Sequence, residues 1–192
     1  MNGKAVFGSL LVGLLLFASA GRALAQSADE SIDALLREGG NVLLIRHAAT
    51  VSGVGDPPGF RLDDCSTQRN LSDRGRADAR RLGERLKASG GSFAHVRSSA
   101  WCRCTDTARL AFLAEPEVWQ PLNSFFAGQG NQSTQTAVAL GEARRVPAGE
   151  NWVWVTHQVN ISALTGTSVA MGEVLIVRWN GSRLEVQARF SP

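Results

Sequence analysis

Long apolar runs, cysteine and net charge are all scarce in this sequence of 192 residues, and each scarcity removes a class of protein. No stretch after residue 25 approaches the roughly 18 apolar residues of a membrane-spanning helix. The one apolar run, Ala5 to Ala20, follows Lys4 and leads to Ala23-Leu24-Ala25 before Gln26. A basic start, a short apolar core and an Ala-x-Ala site make a cleavable signal peptide. Residues 1–25 are therefore expected to be removed, leaving a soluble periplasmic or secreted protein without stable membrane insertion. An uncleaved anchor is the competing reading, and no cysteine near the cleavage site offers a lipid attachment. Residues 26–192 suit one domain with a sizeable core. The leader carries Lys4 and Arg22 and no acid, so the formal charge falls from +3 to +1 on cleavage. That balance excludes bulk attraction to nucleic acid, although clustered arginines can still make one pocket positive. The three cysteines, Cys65, Cys102 and Cys104, allow one disulfide and leave one thiol in an oxidising compartment. A Cys-x-Cys pair with a distant third cysteine and no nearby histidine does not match zinc spacing, so neither metal nor cofactor is expected.

The elements alternate. Ser27-Ala-Asp-Glu30 reads as a capping box, and Ile32, Leu35 and Leu36 continue one helical face until Gly39-Gly40. Val42 to Ile45 is a continuous aliphatic run, as in a strand buried on both faces. Residues 51–70, rich in Gly, Pro and Asp, read as an irregular loop. Ser72 caps a helix carrying Ala79, Leu82 and Leu86 and ending at Gly90-Gly91. A strand over Phe93 to Arg97 precedes the Ser98-Ser99 turn and a helix with Thr105, Ala108 and Phe112 inward. Val118-Trp119 begins a short strand, residues 123–136 form a second loop, and a helix is predicted near 134–145. Trp152 to Val155 is another strand, ending in Thr156-His157. Val174 to Trp179 and Leu184 to Ala188 flank Asn180-Gly181, a tight-hairpin signal. No internal repeat is present. This order predicts a three-layer α/β/α sandwich with a mostly parallel sheet. Ligands of such sheets bind beyond the carboxyl ends of the strands, where His47, Ser98-Ser99 and His157 fall.

Three pieces occur in a set order: Leu44-Ile45-Arg46-His47-Ala48-Ala49-Thr50, then Ser98-Ser99 through Arg103-Cys104-Thr105-Asp106-Thr107-Ala108, then Val155-Thr156-His157. Together they resemble the histidine phosphatase superfamily, with its phosphoglycerate mutase-like fold, in a small exported branch. The first piece is similar to the family's Arg-His-Gly motif with Ala48 in place of glycine. The second is similar to its Ser-(x)n-Arg-(x)3-Thr-Ala helix start, and the third to its strand-end histidine. Leu71-Ser72 through Gly75 and Ala79 to Leu82-Gly83 also looks like its first long helix. The likeness spans roughly residues 41–165.

The resemblance implies a hydrolase that removes phosphate from monoesters through a covalent phosphohistidine. His47 would be the nucleophile, with Arg46, Arg103 and His157 binding the phosphoryl group and Thr50 a further substrate-binding candidate. The chemistry suits these residue types, because a phosphoryl group needs a fixed nucleophile and cationic donors around its oxygens. His157 would donate best as imidazolium, a form that an anion beside it favours. His95 matches no motif and reads as structural. The family's usual proton donor is missing: its Leu-x-Glu position is Leu122-Asn123-Ser124, and the residue after the second histidine is Gln158. Asp56, Asp63, Asp64, Asp106, Glu142 and Glu150 remain as candidates. Without a placed donor, aryl phosphates should outpace alkyl phosphates.

A phosphorylated small metabolite or envelope sugar is the expected substrate, whereas a cytoplasmic mutase or protein-phosphohistidine phosphatase conflicts with the leader. The alternative is a phosphatase-like module that binds anions with little or no turnover. Phe60, Phe125, Phe126, Gln129 and Asn131 either contact a leaving group or pack their loops. A bridge from Cys65 to Cys102 or Cys104 would pin the first loop over the pocket, with Cys102 the preferred partner.

Overall fold

Alternate residues of the aliphatic run enter opposite cores. In β1 (Asn41–Arg46), Leu43 and Ile45 face one way and Val42 and Leu44 the other. In β4 (Asn151–Thr156), Val153 and Val155 join the first core, and Trp152 and Trp154 the second. The computed structural model describes residues 29–53 and 55–192; the leader reading and the Ser27 cap lie outside them.

The remaining strands are β2 (Phe93–Ser98), β3 (Glu117–Val118), β5 (Val174–Trp179) and β6 (Leu184–Phe190). They form one sheet in the order β3-β2-β4-β1-β5-β6, parallel from β3 to β1 and antiparallel from β1 to β6. Helices cover both faces. The helix over residues 29–38 (α1), α2 (Asp73–Ser89) and α3 (Cys102–Phe112) bring Ile32, Leu36, Leu82, Leu86, Cys104 and Ala108 to the first core. The helices α4 (Gln132–Ala143) and α5 (Gln158–Thr165) bring Ala139, Ala143, Ile161 and Leu164 to the second. The α/β/α sandwich is thus the architecture.

Three local expectations shift. Helix α4 starts at Gln132 because the Asn131 side chain accepts from the Thr134 N–H. Helix α5 carries no sequence signal, since it has eight residues, includes Val159 and Ile161 and lacks a capping side chain. Burial of Ile161 and Leu164 favours it, and Gly166 ends it in the left-handed region. Asn180-Gly181 opens a four-residue loop rather than a two-residue turn, because Asn180 Oδ1 accepts from the backbone of Ser182 and Arg183.

Parallel pairing sets the site. Arg46 is in register with Thr156, and the His47 N–H donates to the Thr156 carbonyl (3.0 Å), so the two strand-end histidines emerge side by side. The Ser99 N–H donates to the Val155 carbonyl (3.0 Å) and adds the turn after β2. Helix α2 closes on the segment after His47: the Ser72 side chain accepts from the Gly75 N–H, and a Cβ at Gly75 would collide with the Ala49 carbonyl. Cys65 bonds to Cys102, tying the loop to the first turn of α3. Cys104 lies two residues further along the helix, buried with its sulfur toward the Thr156 carbonyl (3.7 Å), and stays free.

Candidate active site

A cleft of about 490 Å³ opens at the carboxyl ends of β1 and β4, and Arg46, His47, Arg103 and His157 all line it. His47 is held by one bond, from Nδ1 to the carbonyl of Ala48 (2.9 Å). A carbonyl can only accept, so Nδ1 carries the proton and Nε2 keeps its lone pair. Burial pushes the His47 pKa down to about 3; the Ala48 bond opposes this, and Arg103, Arg46 and Arg69 reinforce it. The ring is therefore neutral, as a nucleophile must be. Ala48 stands where the motif has glycine without strain, since its φ is not positive. Its N–H donates to Thr107 Oγ1 (3.0 Å), linking β1 to α3.

His157 stands edge-on to His47, with ring centroids 5.4 Å apart. Its Nε2 lies 2.8 Å from Ser99 Oγ, whose hydroxyl points to Asn123 Oδ1 (3.3 Å). That chain gives Nε2 the proton, and Nδ1 makes no hydrogen bond among the described residues. Burial, then His47 and the three arginines, hold the ring well below the usual histidine range. His157 is thus held neutral by its protein surroundings, and the imidazolium expected from the sequence requires an anion to draw a proton in. Cys104 Sγ, 3.5 Å from His157 Nε2, is pushed by burial up to about 12 and is no nucleophile.

Three arginines converge. Arg46 donates to the Val169 carbonyl (2.8 Å), Arg69 to the Gly53 carbonyl and Arg103 to Asp56 (2.7 Å). Each has a buried Nε without a hydrogen-bond partner among the described residues. Burial, together with the neighbouring cations, lowers the pKa of Arg46 and of Arg69. Arg69 escaped sequence reasoning because it sits in an irregular loop with no motif around it. Backbone pairing of Thr50 with Leu71 positions that arginine's end of the loop. The same pairing leaves Thr50 outside the cleft lining, with its hydroxyl toward Met171 Sδ (3.8 Å), so the structure does not bring this candidate to the site.

Of the six acidic candidates only Asp56 lines the cleft. Asp63 pairs with Arg61, Asp64 caps Ser66, Asp106 pairs with Arg109, Glu142 with Arg97 and Glu150 accepts from Trp152 Nε1. Phe60, Phe126 and Gln129 line the mouth, whereas Phe125 does not and Asn131 caps α4. His95 lies at the bulge of β2 with φ 46° and its ring against Trp152, away from the cleft.

A neutral histidine with one nitrogen pinned and one free, ringed by cations with unspent donors, has the features that binding a phosphoryl group requires. The profile of the histidine phosphatase superfamily (branch 1) matches residues 42–139. The chain belongs to that superfamily, and phosphatase activity is what the membership supports. No curated protein matches it in sequence. Solved structures share the fold. The protein histidine phosphatase SixA, in complex with tungstate, is 16% identical at a TM-score of 0.56, over 79% of this chain and 97% of that one. The phosphoserine phosphatase from Entamoeba histolytica, in complex with 3-phosphoglyceric acid, is 12% identical at 0.58, over 79% and 97%. YhfR from Bacillus stearothermophilus is 18% identical at 0.56, over 77% and 95%.

Proposed function

We propose that the chain is an exported phosphomonoesterase that works through a phosphohistidine on His47, acting on small phosphorylated metabolites or envelope sugars. The carrying observation is the convergence of three arginines with unpartnered Nε atoms around His47, whose proton is fixed on the remote nitrogen. Unpaired buried donors are costly, and the equatorial oxygens of a phosphoryl group would satisfy them. His47 Nε2 attacks phosphorus while Arg46, Arg69 and Arg103 hold the oxygens. His157, once protonated beside the anion, donates from Nδ1. A module that binds without turnover has no use for a neutral His47 with its lone pair free, which favours the enzyme. The dimensions of the cleft suit a small ester, and the leader motivates the compartment.

Rapid quenching with a labelled phosphomonoester, followed by peptide mapping, tests the mechanism. The label is expected on His47, lost in acid and stable in alkali, and absent from His47→Ala together with turnover. A label on Ser98, Ser99 or Cys104, or undiminished activity of His47→Ala, would sink it. The substrate class is tested by comparing phosphorylated metabolites and envelope sugars, with His47→Ala as the control.

A further inference from the structure

The cleft holds an ionised carboxylate for which phosphoryl binding has no use. Asp56 Oδ1 accepts from Arg103 Nη1 (2.7 Å) and the Arg69 N–H (3.0 Å), and Oδ2 accepts from Trp101 Nε1 (3.0 Å). The Asp56 and Arg103 side chains are only 7% and 6% exposed. A buried anion seated on a phosphate-binding arginine repels the substrate, unless its charge changes during the cycle. With His157 engaged on the phosphoryl oxygens, Asp56 is the one acidic candidate among the described residues that lines the cleft and could hand a proton to the departing oxygen. Ser124 stands at the place of the family's glutamate, and the Oδ1 of Asn123 before it accepts from the Ala100 N–H (2.8 Å) and the Ser99 hydroxyl.

We infer that Asp56 is the catalytic proton donor to the leaving group and, in the second half-reaction, the base that takes a proton from water. The inference rests on the phosphatase reading above. When a phosphate dianion reaches the guanidinium groups of Arg46, Arg69 and Arg103, it shares the Arg103 guanidinium with Asp56. Two anions side by side raise each other's proton affinity, so the pair takes up one proton from solvent, and the carboxyl carries it to the leaving oxygen as the ester bond breaks. His47 Nε2 then forms its bond to phosphorus as the ester P–O bond breaks. The bond's electron pair goes to the leaving oxygen, which gains the Asp56 proton and departs as the alcohol. Asp56, again a carboxylate, takes a proton from water as the water oxygen bonds to phosphorus. The P–N bond breaks, its pair returns to Nε2, and inorganic phosphate leaves. The hydrogen-bond partners of Asp56 among the described residues are Arg103, Arg69 and Trp101, all donors, and no other acid among those residues lines the cleft with it.

The donor also changes an expectation. Steep dependence on the leaving group belongs to Asp56→Asn rather than to the native chain. Turnover of 4-nitrophenyl phosphate and of glycerol phosphate is compared for the native chain, Asp56→Asn and Asp56→Glu, with vanadate binding measured alongside. Asp56→Asn should lose roughly 10²- to 10³-fold on the alkyl ester but about tenfold or less on the aryl ester, because general acid catalysis matters most for a poor leaving group. Vanadate should still bind, and Asp56→Glu should regain part of the alkyl activity. Equal losses on both esters would overturn the inference. So would faster turnover with tighter vanadate binding in Asp56→Asn, which would make Asp56 a competing anion only. A native chain inactive on every ester would instead overturn the phosphatase reading itself.

Discussion

His47 folds as a neutral base, and that has a thermodynamic consequence. Its pKa of about 3 lies below the ordinary value of 6.5. A base depressed on folding contributes stability that is fully present above its unfolded value. That contribution is lost as pH falls from about 6.5 toward 3. His157 is displaced in the same direction and adds to it. Thermal unfolding should therefore show Tm falling through this window, less steeply in His47→Asn; parallel curves for the two proteins would contradict the buried neutral ring. Arg69→Gln removes one of the three guanidinium groups whose Nε is unpartnered among the described residues. A hydrogen bond to a charged group contributes about 1.5–3 kcal/mol, so inorganic phosphate should bind roughly 10- to 100-fold more weakly, as read by calorimetry. An unchanged affinity would exclude Arg69 from the anion site. Arg46, His47, Arg103 and His157 were legible in the sequence because each sits at a strand end or helix start in an ordered motif. Arg69 was not, and Asp56 stood only as one of six acidic candidates, because a loop without periodicity gives no clue to which of its side chains turn inward.

The loop over residues 51–70 owes its placement to two devices at the level of elements. One is the Cys65–Cys102 disulfide, which joins residues 37 apart and fastens the loop beside Arg103. On the chain-entropy estimate such a closure contributes about 4 kcal/mol. Cys65→Ser should lower stability by that order in chemical denaturation and raise KM, since Asp56 and Arg69 share the tethered loop; an unchanged KM would show that the loop holds its position without the bridge. The other is the close approach of α2 to the segment after His47. Gly75→Ala would improve helix propensity by about 1 kcal/mol, yet its Cβ would meet the Ala49 carbonyl. The expected outcome is a net loss of stability together with reduced turnover, and a stabilised, fully active variant would refute the packing argument. The long helices and buried strands were readable from periodicity, whereas α5 was not. Its eight residues have weak helix signals, and packing into the second core against α4, β1 and β6 overrides them.

At the scale of the whole molecule, the export reading makes a plain forecast: the mature chain begins at Gln26 and is recovered outside the cytoplasm. N-terminal sequencing of protein from fractionated cells checks it, and retention of residues 1–25 on the bulk of the protein would count against it. The sequence by itself determined the order of strands and helices, because burial on one or both faces imprints a period on the chain. It also determined which four residues belong together, because their motifs stand at the ends of those elements. Tertiary structure alone decided the rest: which of two cysteines closes the loop, that Arg69 completes the cationic ring, that Thr50 turns away, and that Asp56 is the single acidic candidate in the cleft. These outcomes depend on how an irregular backbone path packs against α3 and the sheet edge. That path is set by contacts between residues far apart in the chain, which leave no local pattern to read.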